Sequence, residues 1–127
     1  MHLAALLVSA ALLASCQQRA APGTPEAGAL LGTWTVDLRP TPSAPAYYQE
    51  FVVTSVAGDT LVGTFYGTAI THGRINRDWG ALHFAFVTSD GAGPYNTTGV
   101  LSGDQLRGTT HSLGRNFLAV WTAARKR

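Results

Sequence analysis

Turn signals recur about every ten residues from Leu30 to the end of the sequence. They contain Gly or Asp and lie at 57–59, 77–80, 89–93 and 102–104, and the runs between them are rich in Val, Thr, Phe, Tyr and Trp. Runs this short are typical of antiparallel strands, because an amphipathic helix needs a longer periodic segment. The spacing predicts an all-β domain with strands at 33–38, 47–56, 60–67, 69–76, 81–88, 95–101, 105–112 and 115–123.

Residues 58–64 and 103–109 repeat one pattern, Gly-Asp-x-Leu-x-Gly-Thr. In each copy a turn leads into a strand in which a Leu is followed two positions later, on the same face, by a Gly. A Gly inside a strand often marks a bend, so we expect Gly63 and Gly108 to let the sheet curl. Eight short antiparallel strands are enough to close a sheet on itself. We therefore predict an antiparallel up-and-down barrel of about eight strands.

Alternation along each strand predicts which side chains face the barrel interior. In the second strand two phases compete, one with Phe51 and Val53 inward and one with Val52 and Val56 inward. Prolines at 40, 42 and 45 mark an extended loop before that strand, which we expect to form a lid or rim over an open mouth. The inward residues predicted elsewhere are Trp34, Val36, Leu38, Leu61, Phe65, Leu82, Phe84, Phe86, Phe117, Ala119 and Trp121.

The N-terminal segment is an apolar run at 3–14 that is too short to span a bilayer, which needs about twenty residues. It has the length of the apolar region of a secretory signal peptide. It ends in Leu13, Ala14, Ser15 and Cys16, and these four residues resemble the lipobox of bacterial lipoproteins at every position. Cys16 is the one cysteine of the sequence, so no intramolecular disulfide can form.

The resemblance implies cleavage before Cys16 and attachment of lipid to its thiol, which would anchor the protein to a membrane of the cell envelope. Gln17, where Asp would signal retention, implies the outer membrane in a Gram-negative cell, with the domain facing the periplasm or the surface. An ordinary cleaved signal peptide with an incidental cysteine is the alternative. Residues 17–29 are rich in Ala, Pro, Gly and Gln. The chain is thus divided into a signal peptide at 1–15, the lipidated cysteine and a flexible tether at 16–29, and a barrel domain at 30–127.

Three parts of the domain carry a second resemblance: Gly32-Thr33-Trp34, the two Gly-Asp-x-Leu-x-Gly-Thr hairpins, and the closing segment Trp121–Arg125. They are similar to the corresponding parts of small lipocalin-like and avidin-like bacterial barrels of unassigned function. The resemblance covers about three quarters of the chain. It implies a fold and no activity, because these motifs are turns and core residues, whereas function belongs to a site built on the fold.

Charge and motif spacing exclude several classes of function. The formal net charge is +2, and three basic residues are the terminal Arg125, Lys126 and Arg127, so no basic face for nucleic acid is expected. His72, His83 and His111 lack the spacing of a metal pair. The sequence has no Gly-x-Ser-x-Gly elbow, and its acids are scattered. We predict no catalytic residue, no metal, no cofactor and no enzymatic activity.

Aromatic side chains with a polar group, among them Tyr47 and Trp79, are the candidates for binding, since a barrel mouth collects such residues. We predict a small apolar or amphipathic ligand. The alternative is a filled barrel that serves a structural or interaction role with another envelope protein. The predicted ligand-binding residues are Trp34, Tyr48, Phe65, Tyr66, Tyr95, Arg115 and Trp121.

The lipobox generates a direct test. Cys16→Ser replaces the thiol with a hydroxyl that cannot form the thioether, so we expect loss of the lipid mass and of membrane association. Mass spectrometry of detergent extracts and membrane fractionation measure the two effects. Ser15→Ala keeps a small residue before the cysteine and is expected to leave both unchanged. A membrane-bound, lipid-modified Cys16→Ser protein would contradict the prediction.

Overall fold

A computed structural model describes residues 24–127 of the chain. The predicted signal peptide at 1–15, Cys16 and the first part of the predicted tether lie outside the described residues. Within 24–127 the chain forms one short 3-10 helix and nine strands. The helix is Ala27–Leu30, and the strands are β1 (Gly32–Asp37), β2 (Tyr48–Ala57), β3 (Thr60–Phe65), β4 (Thr68–Ala69), β5 (Thr71–Asn76), β6 (Leu82–Asp90), β7 (Gly93–Ser102), β8 (Gln105–Ser112) and β9 (Phe117–Arg125).

The strands form one antiparallel sheet in the order β4-β3-β2-β1-β9-β8-β7-β6-β5, which confirms the predicted all-β, up-and-down barrel. The barrel is nearly closed, because β3, which lies next to the short end strand β4, approaches β5 at the other end of this order. The Ile75 amide donates to the Asp59 carbonyl at 2.7 Å, and the Ile70 amide donates to the Gly63 carbonyl at 3.0 Å. Closure leaves few unpaired edge groups.

The strand predicted at 69–76 is divided into β4 and β5, so the described chain has nine strands where about eight are predicted. His72 adopts a left-handed conformation with φ of 55°, and the register with β6 shifts between Thr71 and Arg74. One extra residue at such a bulge bends the strand. The break between β4 and β5 comes earlier, at Ile70, so that β4 pairs with β3 and β5 pairs with β6.

A second bulge explains why the inward phase of β2 is ambiguous in the sequence. The register with β3 shifts between Val53 and Ser55, so Thr54 is the extra residue. Phe51 and Val53 are buried before the bulge, and Val56 packs against the core after it. Both phases are thus used, one on each side of the bulge.

A layer of five aromatic rings fills the middle of the barrel. Neighbouring rings lie 5.2 to 6.5 Å apart between centroids, within the range of favourable aromatic pairs. Each ring belongs to a residue that is at most 5% exposed. The five residues are Phe51, Phe65, Phe84, Phe86 and Trp121.

Two glycines make space for this layer. Phe84 pairs with Gly99, Gly99 with Gly108, and Gly108 with Trp121, so two rings flank two glycines in one row across β6 to β9. A Cβ at Gly99 would overlap the Phe84 ring, and a Cβ at Gly108 would overlap the Trp121 ring. Gly108 thus has a role in packing: the Trp121 indole occupies the space that a side chain at this position would need.

One end of the barrel is closed by the segment that precedes β1. Leu30, in the 3-10 helix, is fully buried, and its carbonyl accepts a hydrogen bond from the Trp34 indole at 2.9 Å. The Arg125 guanidinium lies 4.3 Å from the centre of the Trp34 ring and donates to the Leu31 carbonyl at 2.7 Å. Arg77 donates to the Pro25 carbonyl at 3.3 Å. The last part of the predicted tether is therefore packed onto the barrel.

Gly108→Ala tests the aromatic layer. The added methyl group cannot fit unless Trp121 moves, so we expect the free energy of unfolding to fall by about 1–3 kcal/mol. Chemical denaturation measures it. Gly91→Ala is the matched control, because a Cβ there meets nothing within 4 Å, and its effect should stay within about 0.5 kcal/mol. Equal effects of the two substitutions would refute this role of Gly108.

Candidate functional site

A cavity of about 330 Å³ opens at the end of the barrel opposite the 3-10 helix. It lies where β1, β3, β6 and β8 end and where β2, β7 and β9 begin, above the aromatic layer. Its inner end is formed by Phe65, Thr88, Thr110 and Ala119, its walls by Leu38, Thr68 and Phe117, and its rim by Tyr47, Tyr66, Ser89, Asp90, Tyr95 and Arg115. The site is thus an apolar space with a polar rim.

Tyr66 reaches the rim through a backbone conformation that residues other than glycine rarely adopt. Tyr66 and Gly67 have φ of 55° and 72° and connect β3 to β4 as a two-residue hairpin turn. The left-handed region costs a residue with a Cβ about 1–2 kcal/mol. The Tyr66 amide donates to the Glu50 carbonyl at 3.0 Å, which holds the turn against β2. The geometry of this turn thus holds the Tyr66 side chain at the mouth of the cavity.

Tyr47 meets Tyr66 across the rim. Their rings are 6.1 Å apart in an edge-to-face arrangement, and their hydroxyl groups are hydrogen-bonded to each other. The hydrogen bond with Tyr47 is the main cause that raises the pKa of Tyr66 above its ordinary 10.0, so the Tyr66 phenol is uncharged at neutral pH. The pair presents two aromatic faces and two hydroxyl groups to a molecule entering the cavity.

Asp37 fixes the position of Tyr47. Its carboxylate accepts hydrogen bonds from the Arg39 side chain at 2.8 Å, the Arg39 amide at 3.1 Å and the Tyr47 amide at 3.3 Å. The hydrogen bond from the Arg39 side chain is the largest cause of a lowered pKa at Asp37. These contacts join the two ends of the proline-containing loop predicted as a lid or rim. Leu38 and Tyr47, which flank this loop, line the cavity, whereas the residues of the loop between them are not among the lining residues.

Asp90, Tyr95 and Arg115 form the other side of the rim. The Tyr95 hydroxyl donates to the Asp90 carboxylate at 2.7 Å, and the Ala92 amide donates to it at 2.8 Å. The hydrogen bond from Tyr95 is the largest cause that lowers the pKa of Asp90 below its ordinary 3.8. Arg115 lies 3.8 Å from the same carboxylate with its side chain 59% exposed, so its guanidinium can also contact a bound molecule.

A chain of hydrogen bonds lies beneath the cavity. The Trp121 indole donates to the Thr110 hydroxyl at 3.1 Å, and the hydroxyl groups of Thr97 and Thr110 are 2.9 Å apart. All three side chains are buried. Thr110 therefore connects the aromatic layer to the inner end of the cavity.

The structure brings four of the seven predicted binding residues together at the cavity: Phe65, Tyr66, Tyr95 and Arg115. The other three do not line it. Trp34 lies in the closed end, Trp121 is buried in the aromatic layer, and Tyr48 is 61% exposed and lies away from the cavity.

Sequence reasoning missed Asp90, Thr88 and Thr110 as lining residues. Asp90 was assigned to a turn. The two threonines could have been found, because alternation continues from Phe84 and Phe86 to Thr88 and from Leu106 to Thr110. They were not predicted because the inward residues were chosen among apolar side chains, and threonine is polar.

Within 24–127, no group of three His, Cys, Asp or Glu residues is placed to hold a metal ion. None of the helices in that part of the chain is long and apolar enough to cross a membrane. Comparison with known proteins finds no matching protein family, curated protein or solved structure.

The rim contacts predict a pH effect. Because Tyr95 holds the pKa of Asp90 below 3.8, the stability that this contact contributes is present above pH 3.8 and is lost as the pH falls through the lowered pKa. Tyr95→Phe removes the donor, so the pKa of Asp90 should rise toward 3.8. Titration of the carboxyl carbon by NMR measures it. Tyr48→Phe is the control and should leave Asp90 unchanged; an unchanged pKa in both variants would contradict the assignment.

Proposed function

We propose that this protein is a lipid-anchored binding protein of the bacterial cell envelope that holds a small apolar or amphipathic molecule in the cavity at its open end. The observation that carries the proposal is the cavity itself, an unfilled space of about 330 Å³ in a barrel whose middle is packed with aromatic rings. Its volume is near the lower limit of small-molecule sites, which start at about 300 Å³. A ligand of one or two rings, or a short acyl chain, matches that size.

The direction of the chain supports a cavity that opens toward water. Pro25 and Leu30 are held at the closed end by Arg77 and Trp34. The proposed lipid on Cys16 precedes this segment, so the closed end is the one nearer the anchor in sequence, and the mouth is at the opposite end. A ligand would then enter from the aqueous phase and not from the bilayer.

Contact between two of the resemblance motifs supports a lipocalin-like or avidin-like relationship. Gly32-Thr33-Trp34 begins the barrel, and Trp121–Arg125 ends it. Trp34 pairs with Arg125 in the sheet, and the Arg125 guanidinium lies over the Trp34 ring. The motifs therefore form one structural unit at the closed end, separate from the proposed ligand site.

A specific observation favours a second function, that of a structural or interaction protein. Leu118 and Val120 on the outer face of β9 are 63% and 69% exposed, and Leu113 in the preceding loop is 50% exposed. Neighbouring apolar side chains on a surface often mark a contact with another protein. In this case the partner would be another envelope component, and the cavity would have no ligand.

Ala119→Phe tests the first proposal by filling the cavity from β9. The added ring would clash with a bound molecule at a cost of about 1–3 kcal/mol, or roughly ten- to hundredfold in affinity. Native mass spectrometry of the full-length protein, gently purified from the producing cell, measures retained ligand. We expect an extra mass in the native protein that is lost in Ala119→Phe.

Val120→Phe is the matched control, because it adds the same ring to the outer face of the same strand. It should retain the extra mass. A native protein that carries no extra mass, even after incubation with lipid and aromatic mixtures, would contradict the binding function and favour the interaction function.

A further inference from the structure

The hydrogen bonds around Thr110 leave one donor unused. A threonine hydroxyl has one proton and two acceptor positions. Thr97 is 1% exposed, and Thr110 is its hydroxyl's partner within residues 24–127. Either hydroxyl can donate in this pair, and donation by Thr97 is the arrangement that avoids a buried unpaired donor at Thr97. The Trp121 indole donates to the same oxygen. Both acceptor positions of Thr110 are then occupied, and its own proton remains.

Thr110 borders the cavity, where a bound molecule can offer an acceptor to that proton. Thr110 lines the inner end of the cavity, and the residue as a whole is 6% exposed. Thr88, the second buried hydroxyl-bearing residue of the lining, is also 6% exposed. A buried donor without an acceptor is unfavourable, and a bound molecule could supply the acceptor.

The inner end favours an uncharged acceptor. Among the described residues that line the cavity, Arg115 is the only basic side chain, and it is at the rim beside Asp90. A carboxylate at the inner end would be buried without a cation, which is strongly unfavourable. A carbonyl oxygen needs one donor and carries no charge.

We infer that the ligand is a small apolar molecule with a neutral carbonyl group, which accepts a hydrogen bond from the Thr110 hydroxyl at the inner end of the cavity. Its apolar part extends past Phe65 and Ala119 toward Phe117 and the rim. The inference rests on the proposed binding function and names the ligand class of the same site.

Two probes of nearly equal shape test it: acetylnaphthalene and its isopropenyl analogue, in which a methylene group replaces the carbonyl oxygen. Calorimetric titration of the full-length protein measures both affinities. A net hydrogen bond of ordinary strength predicts that the ketone binds roughly fivefold more tightly. Thr110→Val should abolish this preference. Thr109→Val is the control, because Thr109 forms a similar threonine pair with Thr98 on the outer face of the same strands.

A second measurement does not require Thr110→Val to fold: infrared spectroscopy of the ketone bound to the native protein. A hydrogen bond lowers the carbonyl stretching frequency relative to an apolar solvent, and the lowering should persist in Arg115→Met. The inference is overturned if the bound ketone has the same carbonyl stretching frequency as in the apolar solvent. It is also overturned if the frequency is lowered in the native protein but not in Arg115→Met. Equal affinities of the two probes overturn it while leaving the binding function intact. Failure of both probes to bind counts against the inference and the binding function together.

Discussion

The packing of Phe84 and Trp121 over Gly99 and Gly108 is the contact on which the rest of the barrel depends. Two large rings and two residues without side chains share one row across four strands, so the rings can lie flat over the sheet and meet Phe51 and Phe65. Because the middle of the barrel is filled in this way, the cavity at the open end does not extend through the barrel. The aromatic layer thus sets the depth of the cavity, and Trp121 also positions Thr110 at its inner end.

The two ends of the barrel have different roles. At the closed end, Leu30, Trp34 and Arg125 join the segment before the first strand to the end of the last strand, through burial, hydrogen bonds and a cation over an aromatic ring. At the open end, the polar rim is built from contacts between loops and between strand ends, namely Tyr47 with Tyr66 and Asp90 with Tyr95. A packed closed end and a mouth made of loops and strand ends suit the proposed role, since binding residues are commonly positioned by a stable scaffold.

Much of the fold could be predicted because strand alternation and turn residues are local signals. The burial of Trp34, Val36, Phe84 and Phe86 agrees with simple alternation. The two bulges could not be predicted, since an extra residue changes the inward phase without any change in composition. The same limit affected the site: of the neighbours Tyr47 and Tyr48, Tyr47 lines the cavity, and this choice follows from the inward phase of Phe51 and Val53, which the bulge at Thr54 makes ambiguous in the sequence.

The sequence by itself determined the all-β class, the up-and-down order of strands, most of the inward face and the presence of the lipobox-like segment, because each depends on neighbouring residues. The tertiary structure alone decided that Phe65, Tyr66, Tyr95 and Arg115 converge while Trp34 and Trp121 do not. It also decided that Thr97, Thr110 and Trp121 form one hydrogen-bonded group beneath the cavity. These are properties of side chains from distant strands, and barrel closure and the volume of the packed rings place them in space.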